Sequence, residues 1–351
     1  MMKGSQGAYP KSDAMDSDED FSAEMLGREH ERLGRAATEM IATYARSLDA
    51  ARVCSEATPE ELEKLFDEPL PLDGLPVEEI FRKFSRDIVP HAMNIPSPRY
   101  YGLFNPTPLA VGVWADALAS ALNQNGAAWR NSPAASVVEA RVLRWLCELV
   151  GYNAESFGTL TSGGSEANLI ALKCARDRAL EGVRDRGIAG ALRAQGAATG
   201  GGYLVAYASE QCHYSLVKGV DILGLGRDNL RKIETDESFH IRADLLREAI
   251  ERDLAAGNIP CCIAGAAGAT STGIIDPLEE LADIAAHYRL WFHVDAAYGG
   301  GLALSQTHRA RLRGIERADS VTVDPHKWMF VPFACGAVVL RGGPSLLRDA
   351  F

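Results

Sequence analysis

A lysine, Lys327, lies between a histidine and a tryptophan in the segment DPHKWMF, residues 324–330. The residues that follow are mostly apolar, and we interpret them as the beginning of a buried strand. A lysine that is held in an apolar setting can act as a nucleophilic amine. A surface lysine that covers apolar neighbours with its methylene groups would give the same pattern. Lys327 is therefore a candidate nucleophile whose interpretation depends on its partners.

Two further candidates are expected at the ends of strands. Asp295 ends the apolar run 290–294, and His213 follows a short apolar strand candidate at 203–207. A carboxylate at the end of a buried strand is costly unless it is paired. A helix cap or a loop salt bridge is the alternative for Asp295, and a structural role is the alternative for His213. The small residues after Asp295, such as Ala297, leave room for a flat ring.

The segment TSGGSEANL, residues 161–169, has the composition of an anion site. Gly163 and Gly164 allow the backbone to approach a ligand closely, and a helix opens near Glu166. Because a helix N-terminus offers free N–H groups and a positive dipole end, the segment favours phosphate. It matches neither the dinucleotide template nor the nucleoside-triphosphate template. A serine-capped helix after a turn is the alternative.

Together these four places describe one ligand. It has an aldehyde for Lys327, a phosphate for the glycine turn, a ring on which His213 stacks, and a ring nitrogen that Asp295 keeps protonated. Pyridoxal 5′-phosphate has these groups, and proteins bind it through a lysine Schiff base and an acidic partner for its pyridinium nitrogen. The sequence therefore predicts a pyridoxal 5′-phosphate site, and we assign no metal ligand.

The elements around these residues predict an α/β fold. Apolar strand candidates at 203–207, 261–268, 290–300 and 336–340 are separated by helical patterns, for example at 242–257 and 276–288, and a further helix is predicted at 136–150. This order indicates a mostly parallel sheet with helices on both faces, where ligands bind at the carboxyl ends of the strands. Asp276, Pro277 and Glu279 predict a capping box at the start of a helix. The Gly/Ala-rich run 187–202 is predicted to be a flexible surface loop.

The amino-terminal part has a different pattern. Residues 1–20 are polar and acidic, and we expect them to form a disordered tail. Helices are predicted at 21–48, 59–66 and 77–88, within a segment, 21–95, that has no evident core of its own. Their apolar faces predict burial across a two-fold axis in a homodimer. The remaining residues, 96–351, are expected to form the cofactor-binding large domain.

Composition excludes some classes of partner. The net charge is −11, whereas nucleic acid and anionic membranes require a basic face. The 7 cysteines are scattered without a C-x-x-C pair, which indicates free thiols in a reducing cytoplasm. No apolar stretch resembles a signal peptide or is long enough to span a bilayer. We therefore predict a cytoplasmic protein with a small-molecule substrate.

The sequence resembles the group II pyridoxal-phosphate-dependent amino-acid decarboxylases, which include aromatic-L-amino-acid, histidine and glutamate decarboxylases. The strongest match is SVTVDPHKWMFVPFACGAVVLR, residues 320–341, around the lysine. Further matching segments follow one another in the family's order, at 121–146, 161–168, 208–215, 269–277 and 293–300. The likeness covers about residues 75–351, and it implies the large domain of the fold-type I pyridoxal-phosphate enzymes.

The resemblance implies a role for each matched residue. Lys327 would form the Schiff base, and Asp295 would pair with the ring nitrogen. Ala297 and His213 would pack on the two faces of the ring. The other implied contacts are Gly163, Gly164, Ser165 and His326 for the phosphate, Thr272 for the phenolic oxygen, and Phe104, Asn125 and Ala127 for the substrate side chain. At the position of Asp324 several relatives have an asparagine that touches the phosphate, and the role of the acid stays open.

The activity implied by the resemblance is decarboxylation of an L-amino acid to an amine and carbon dioxide. Relatives continue past the position of Phe351 with a mobile loop that carries a tyrosine proton donor and with a smaller C-terminal domain, both absent from this sequence. Two alternatives therefore stay open. One is a truncated cofactor-binding protein with little or no decarboxylase activity. The other is a different reaction on the same fold, such as a carbon–carbon lyase or an aminotransferase, and the sequence does not reveal which amino acid is used.

Overall fold

The computed structural model describes residues 23–102, 104–194 and 202–351. The chain divides into two compact units, of which one ends at Tyr101 and the other begins at Gly102. The division lies close to the boundary that we expected at residue 95. The acidic tail predicted at 1–20 and the last part of the loop predicted at 187–202 lie outside the described residues.

The first unit is helical, as its patterns predict. Its helices are α1 (Ala23–Ser47), α2 (Pro59–Phe66) and α3 (Val77–Lys83), and α3 is continued by a π-helical turn, Phe84–Ile88, and a 3-10 turn, Val89–His91. A capping box starts α2: the Thr58 hydroxyl accepts from the Glu61 N–H at 3.2 Å, and the Glu61 carboxylate accepts from the Thr58 N–H at 2.8 Å. None of these three helices contains a buried residue. Their apolar side chains therefore contribute to no buried core within the part of the single chain that the structure describes.

The second unit is built on a sheet of seven strands within the described residues. The strands are β1 (Phe157–Thr161), β2 (Leu204–Ser209), β3 (Leu230–Ile233), β4 (Ile259–Ala266), β5 (Trp291–Asp295), β6 (Ser320–Val323) and β7 (Gly336–Leu340). Their order in the sheet is β1-β7-β6-β5-β4-β2-β3. Strands β2 to β6 pair in parallel, and β7 runs antiparallel to both β1 and β6. This confirms the mostly parallel sheet.

Helices cover both faces of this sheet, because the strands are apolar on both sides. The helices of the second unit are α4 (Ala110–Leu122), α5 (Pro133–Leu149), α6 (Gly164–Ala179), α7 (Val183–Ala194), α8 (Tyr214–Ile222), α9 (Ala243–Ala255), α10 (Leu278–Tyr288) and α11 (Ser345–Ala350). In β2, Val205 and Tyr207 join the core with α5, α9 and α10, whereas Leu204 and Ala206 join the core with α6 and α8. Such a strand is buried on both faces, as expected for a parallel sheet. None of the helices in the described part of the chain is long and apolar enough to cross a membrane.

Two local predictions are wrong, and three strands were not predicted. The residues directly after Lys327 form no strand; β7 begins only at Gly336, and the lysine instead follows β6. Part of the predicted loop is helix α7, which is interrupted at Gly187, where φ is 64° and ψ is 171°. Strands β1, β3 and β6 have no counterpart among the strand candidates, since they are short and contain polar residues.

The predicted capping box at Asp276 is also wrong. Helix α10 begins at Leu278 and has no side-chain cap. The carboxylate of Asp276 instead accepts from the backbone N–H of Ala266 at 2.7 Å and of Ile241 at 3.1 Å. Burial raises the pKa of this carboxyl group. Asp276 therefore ties the end of β4 to a neighbouring segment, a role that local spacing cannot distinguish from capping.

Candidate active site

The carboxyl ends of five strands surround a cavity of about 320 Å³ in the second unit. Because β7 reverses direction between β1 and β6, the ends of β1, β2, β4, β5 and β6 all lie at one edge of the sheet. The predicted site residues that line the cavity are Phe104, Gly163, Gly164, Ser165, His213, Asp295, Ala297, His326 and Lys327. The fold thus brings together residues that are far apart in the sequence.

Three residues that only the resemblance suggested do not line this cavity. Thr272 lies on an exposed turn, where its hydroxyl accepts from the Ile274 N–H at 3.4 Å, and Thr270 lines the cavity instead. Asn125 and Ala127 are exposed, and the Asn125 side chain accepts from the Ala127 N–H at 2.9 Å. Within the described single chain, these three side chains are not part of the site.

The amine of Lys327 is held between a carboxylate and an aromatic ring. Its Nζ lies 2.9 Å from Oδ2 of Asp324 and 4.7 Å from the ring centre of Phe104. The Lys327 side chain is only 12% exposed. The Lys327 N–H also donates to the Asp324 carbonyl at 2.9 Å, which closes a turn directly after β6. The lysine is thus positioned by its own turn, and its setting is less apolar than the sequence suggests.

The hydrogen-bond donors to Asp295 among the described residues are all neutral. Its Oδ2 accepts from Nδ2 of Asn168 at 2.7 Å, and its Oδ1 accepts from the Ala297 N–H at 3.1 Å. These bonds fix the carboxylate at the end of β5 without a countercharge. A carboxylate held in this way can pair with a cationic atom of a ligand.

Asn168 is the functional residue that our sequence reasoning missed. Besides Asp295, its Nδ2 donates to the Ser215 hydroxyl at 2.9 Å. Its Oδ1 accepts from the Thr322 hydroxyl at 2.7 Å and from Nε2 of His293 at 3.0 Å. Asn168 is 1% exposed on helix α6. An amide among the alanines of a buried helical face was the available signal, because a buried polar group needs partners.

Two histidines are joined to this network as neutral rings. The ring of His293 is buried, which lowers its pKa, and its Nδ1 lies 2.9 Å from the Ser320 hydroxyl. Ser320 in turn accepts from the Trp291 indole N–H at 2.7 Å. Burial also lowers the pKa of His213, whose Nδ1 accepts from the Ser215 N–H at 3.3 Å. The hydrogen-bond network thus links His213 through Ser215 and Asn168 to Asp295, and it continues from Asn168 to His293 in the core.

The glycine turn leaves no space for a side chain at its second residue, Gly164. A Cβ at Gly164, the first residue of α6, would lie 2.9 Å from Oδ2 of Asp324 and 3.0 Å from the Ala297 Cβ. The Glu166 carboxylate is already engaged, since it accepts from the Ser162 N–H and hydroxyl at 2.8 Å each. The first N–H groups of a helix have no partner within the helix, so this N-terminus can receive an anion.

His326 and Asp324 lie beside the glycine turn. Nδ1 of His326 accepts from the Cys335 N–H at 2.9 Å, and its Nε2 lies 3.6 Å from Oδ2 of Asp324. Burial lowers the pKa of His326 and raises the pKa of Asp324. Asp324 is 3% exposed, and its Oδ1 has no hydrogen-bond partner among the described residues.

These residues fit pyridoxal 5′-phosphate. An accessible amine, a carboxylate with neutral donors and a helix N-terminus share one cavity, which provides a place for the aldehyde, the ring nitrogen and the phosphate. The described residues contain no group of three or more His, Cys, Asp or Glu side chains placed to hold a metal ion.

Comparison with known proteins gives the same picture. Residues 59–351 match the family model described as the pyridoxal-dependent decarboxylase conserved domain. The chain is 33% identical to the aromatic-L-amino-acid decarboxylase of Catharanthus roseus, over 88% of this chain and 61% of that protein. It is 34% identical to the histidine decarboxylase of Drosophila melanogaster, over 92% of this chain and 38% of that protein. The chain thus spans less than two thirds of the length of these relatives.

Solved structures share the fold closely. The apo form of mouse CSAD has a TM-score of 0.84 and 31% identity, over 92% of this chain and 66% of that chain. The tryptophan decarboxylase of Catharanthus roseus in complex with L-tryptophan also has a TM-score of 0.84 and 31% identity, over 95% of this chain and 69% of that chain. The match to the family model covers well over half of the sequence, and the chain belongs to the pyridoxal-dependent decarboxylase family.

Proposed function

We propose that this protein binds pyridoxal 5′-phosphate and decarboxylates an L-amino acid to an amine and carbon dioxide. The observation that carries the proposal is the placement of the Lys327 amine and the Asp295 carboxylate in one cavity at the carboxyl edge of the sheet. The cofactor, when bound, withdraws electrons from the α-carbon of an attached amino acid so that its carboxylate can leave as carbon dioxide.

Each residue then has a task that its surroundings support. Lys327 supplies the amine for covalent attachment, and Phe104 covers that amine. Asp295 holds a proton on the ring nitrogen, and Asn168 fixes the carboxylate for that purpose. A pair of unit charges about 3 Å apart is worth roughly 5 kcal/mol before desolvation at an effective dielectric constant of about 20. That attraction is large enough to keep the ring nitrogen charged.

The remaining residues shape the binding space. The small side chain of Ala297 and the neutral ring of His213 both line the cavity, and a flat ring fits between small and aromatic surfaces. Gly163, Gly164 and Ser165 supply N–H groups at the start of α6 for the phosphate.

The direct test is a product assay. The chain, and any longer natural form of the protein, is incubated with cofactor and a panel of amino acids, and both carbon dioxide and amine are measured. Release of the two products in equal amounts supports the proposal, with Lys327→Ala as the inactive control. Binding of cofactor without carbon dioxide release identifies a cofactor-binding protein instead. A keto acid product identifies an aminotransferase.

We also propose that the protein is a homodimer whose interface includes the first unit. Helix α1 and the segment around α3 form an apolar groove of about 820 Å³, lined by Met40, Ile41, Phe81, Phe84 and Ile88 among others. Several of these side chains are exposed in the single chain, for example Ile41 at 41% and Phe84 at 44%. A second copy that covers this groove would remove a large apolar surface from water.

Light scattering at micromolar concentration tests the dimer. The double change Ile41→Glu and Phe84→Glu is expected to give a monomer, because two charges would enter the apolar interface. Leu72→Glu, on an exposed residue outside the groove, is the matched control and should remain a dimer. A folded wild-type monomer would contradict the proposal.

The location that we propose is the cytoplasm. All seven cysteines are unpaired in the structure, and four of them, Cys147, Cys174, Cys261 and Cys262, are buried. Unpaired thiols suit a reducing compartment. Cell fractionation with an antibody against the protein tests this proposal, and recovery in an oxidising compartment would contradict it.

A further inference from the structure

The carboxylate of Asp324 has an unusual environment. It is 3% exposed, yet one of its two oxygens, Oδ1, has no hydrogen-bond donor among the described residues. The other oxygen, Oδ2, lies 2.9 Å from the Lys327 amine and 3.6 Å from Nε2 of His326. Leaving a buried carboxylate oxygen without a donor is unfavourable. We therefore expect the hydrogen-bond partners or the charge of this carboxylate to change when a ligand enters the cavity.

Asp324 also lies directly against the expected phosphate position. A Cβ on Gly164 would be 2.9 Å from Oδ2 and 3.2 Å from Oδ1, so both oxygens face the first residue of α6. A phosphate held by the N–H groups of this N-terminus would have the carboxylate as a neighbour. Two anions that share a buried site repel each other, and the usual outcome is that one of them takes up a proton.

Among the described residues, the surroundings of Asp324 supply one positive charge. Lys327 is the cation, whereas His326 is neutral because its Nδ1 accepts from the Cys335 N–H and burial lowers its pKa. The other titratable groups that act on Asp324 are Asp295, which adds negative charge, and His213 and Cys335, for which burial shifts the pKa in favour of the neutral form. The remaining neighbours, Gly164 and Ala297, carry no charge. One ammonium cannot compensate both an ionised carboxylate and a phosphate dianion.

We propose that Asp324 takes up a proton when phosphate enters the N-terminus of α6, so that cofactor capture is linked to pH. A proton on Oδ1 converts the unpartnered acceptor into a donor toward the phosphate. Oδ2 remains an acceptor for Lys327, and the protonated carboxyl group no longer carries a negative charge. The proton comes from solvent and no covalent bond between heavy atoms changes. The inference rests on the proposed function, because it takes the start of α6 as the phosphate site.

The experiment uses pyridoxine 5′-phosphate, which carries the phosphate but has no aldehyde for Lys327. Its affinity for the full chain is measured between pH 7 and pH 9, where the phosphate ester is already a dianion. Uptake of one proton predicts that wild-type affinity falls by up to about tenfold per pH unit. Asp324→Asn is expected to bind more tightly at pH 9 and to lose the part of this fall that Asp324 contributes, whereas any proton that Asp295 holds on the ring nitrogen of the probe is common to both proteins. Asp319→Asn, at the opposite end of β6, is the matched control and should keep the wild-type slope.

The ring nitrogen of the probe, beside Asp295, could also produce a slope, and the Asp324 variant distinguishes the two sources. If Asp324→Asn keeps the full wild-type slope, a group other than Asp324 takes up the proton and the proposal is wrong. Calorimetry of the wild type in two buffers of different ionisation enthalpy gives the number of protons directly, even if the variant fails to fold. About one proton should be taken up at pH 8, and a count of zero overturns the proposal. Tight binding without pH dependence rejects this inference alone, whereas no binding at any pH also rejects the proposed function.

Discussion

The two ends of strand β6 carry the same residue type in opposite situations. Asp319 precedes the strand, and its carboxylate accepts from Arg178 at 3.0 Å, from Arg341 at 3.5 Å and from the Phe292 N–H at 2.8 Å. Asp324 follows the strand, and it has one ammonium partner and one oxygen without a donor. The first carboxylate is fully compensated and serves the fold. The second has an oxygen without a hydrogen-bond partner among the described residues, and a ligand can contact that oxygen.

The helices explain why the two ends differ. At the carboxyl edge, α6 begins with Gly164 and directs its free N–H groups toward the cavity. At the amino edge the same helix ends, and its last turn carries Arg176 and Arg178. Anions are stabilised near helix N-termini and cations near C-termini. In this sheet, free backbone N–H donors therefore lie at the carboxyl edge, and ion pairs with Asp319 lie at the amino edge.

The largest expected effect is at Lys327. Lys327→Ala should abolish the covalent cofactor adduct that borohydride reduction fixes, because no other amine is placed in the cavity by the described residues. Peptide mapping by mass spectrometry locates the adduct. Lys173→Ala, which removes a lysine paired with Asp177, is the control and should retain it. An adduct that persists on a different lysine would show that the site is assigned incorrectly.

Asp295→Asn is expected to separate binding from chemistry. The variant should still bind cofactor, but it should lose at least about 100-fold in turnover, because a preorganised charge at the reacting group is removed. Absorbance gives cofactor content, and carbon dioxide release gives turnover in whichever form of the protein is active. Near wild-type turnover would contradict the role of this carboxylate.

Asn168→Ala tests the network beneath the site. The change removes the acceptor for His293 and Thr322, so we expect the free energy of unfolding to fall by roughly 2–4 kcal/mol. Urea denaturation measures this loss. Asn229→Ala, which removes an amide with one bond to the Leu225 carbonyl, should cost about 1 kcal/mol. Equal losses in the two variants would show that the network adds no stability of its own.

At the amino edge, Asp319→Asn should weaken the fold and leave the site intact. We expect a loss of roughly 1–3 kcal/mol in the free energy of unfolding, because the arginines are partly exposed and lose one charged partner. Its affinity for the cofactor should not change when it is measured under conditions in which the variant is fully folded, for example at 10 °C. A large change in affinity would mean that the two ends of β6 are not independent.

The smallest expected effect is the pH dependence that His293 contributes. Burial lowers its pKa in the folded protein, so between pH 6.5 and that lower value the unfolded chain binds more protons. Stability should therefore fall as the pH decreases below 6.5, by at most about 1.4 kcal/mol per pH unit from this residue. Urea denaturation at pH 6.5 and 5.5 should show a shallower fall for His293→Gln. His287→Gln, on the surface of α10, is the control, and an equal slope in all three proteins would contradict this assignment.

The sequence predicted the parts of the site that local patterns encode. Lys327, Asp295 and His213 lie at predicted strand ends or in a distinctive segment, and the glycine turn has a characteristic composition. Asn168 was missed because its partners come from three other segments, and no spacing along the chain reveals them. Asp276 was misread for the same reason, since its carboxylate binds distant backbone groups and does not cap its own helix.

The position of β7 has a consequence for the order in which the protein is made. Among the described strands, β1 pairs with β7 alone, and β7 is the last strand of the sheet in chain order. The glycine turn that follows β1 rests against Gly336 at the start of β7. During synthesis, about 175 further residues must be added after β1 before its partner strand begins, which takes roughly 10–35 s at typical elongation rates. The cofactor pocket is consequently completed late, because a nascent chain that stops before β7 lacks the strand against which β1 and the glycine turn rest.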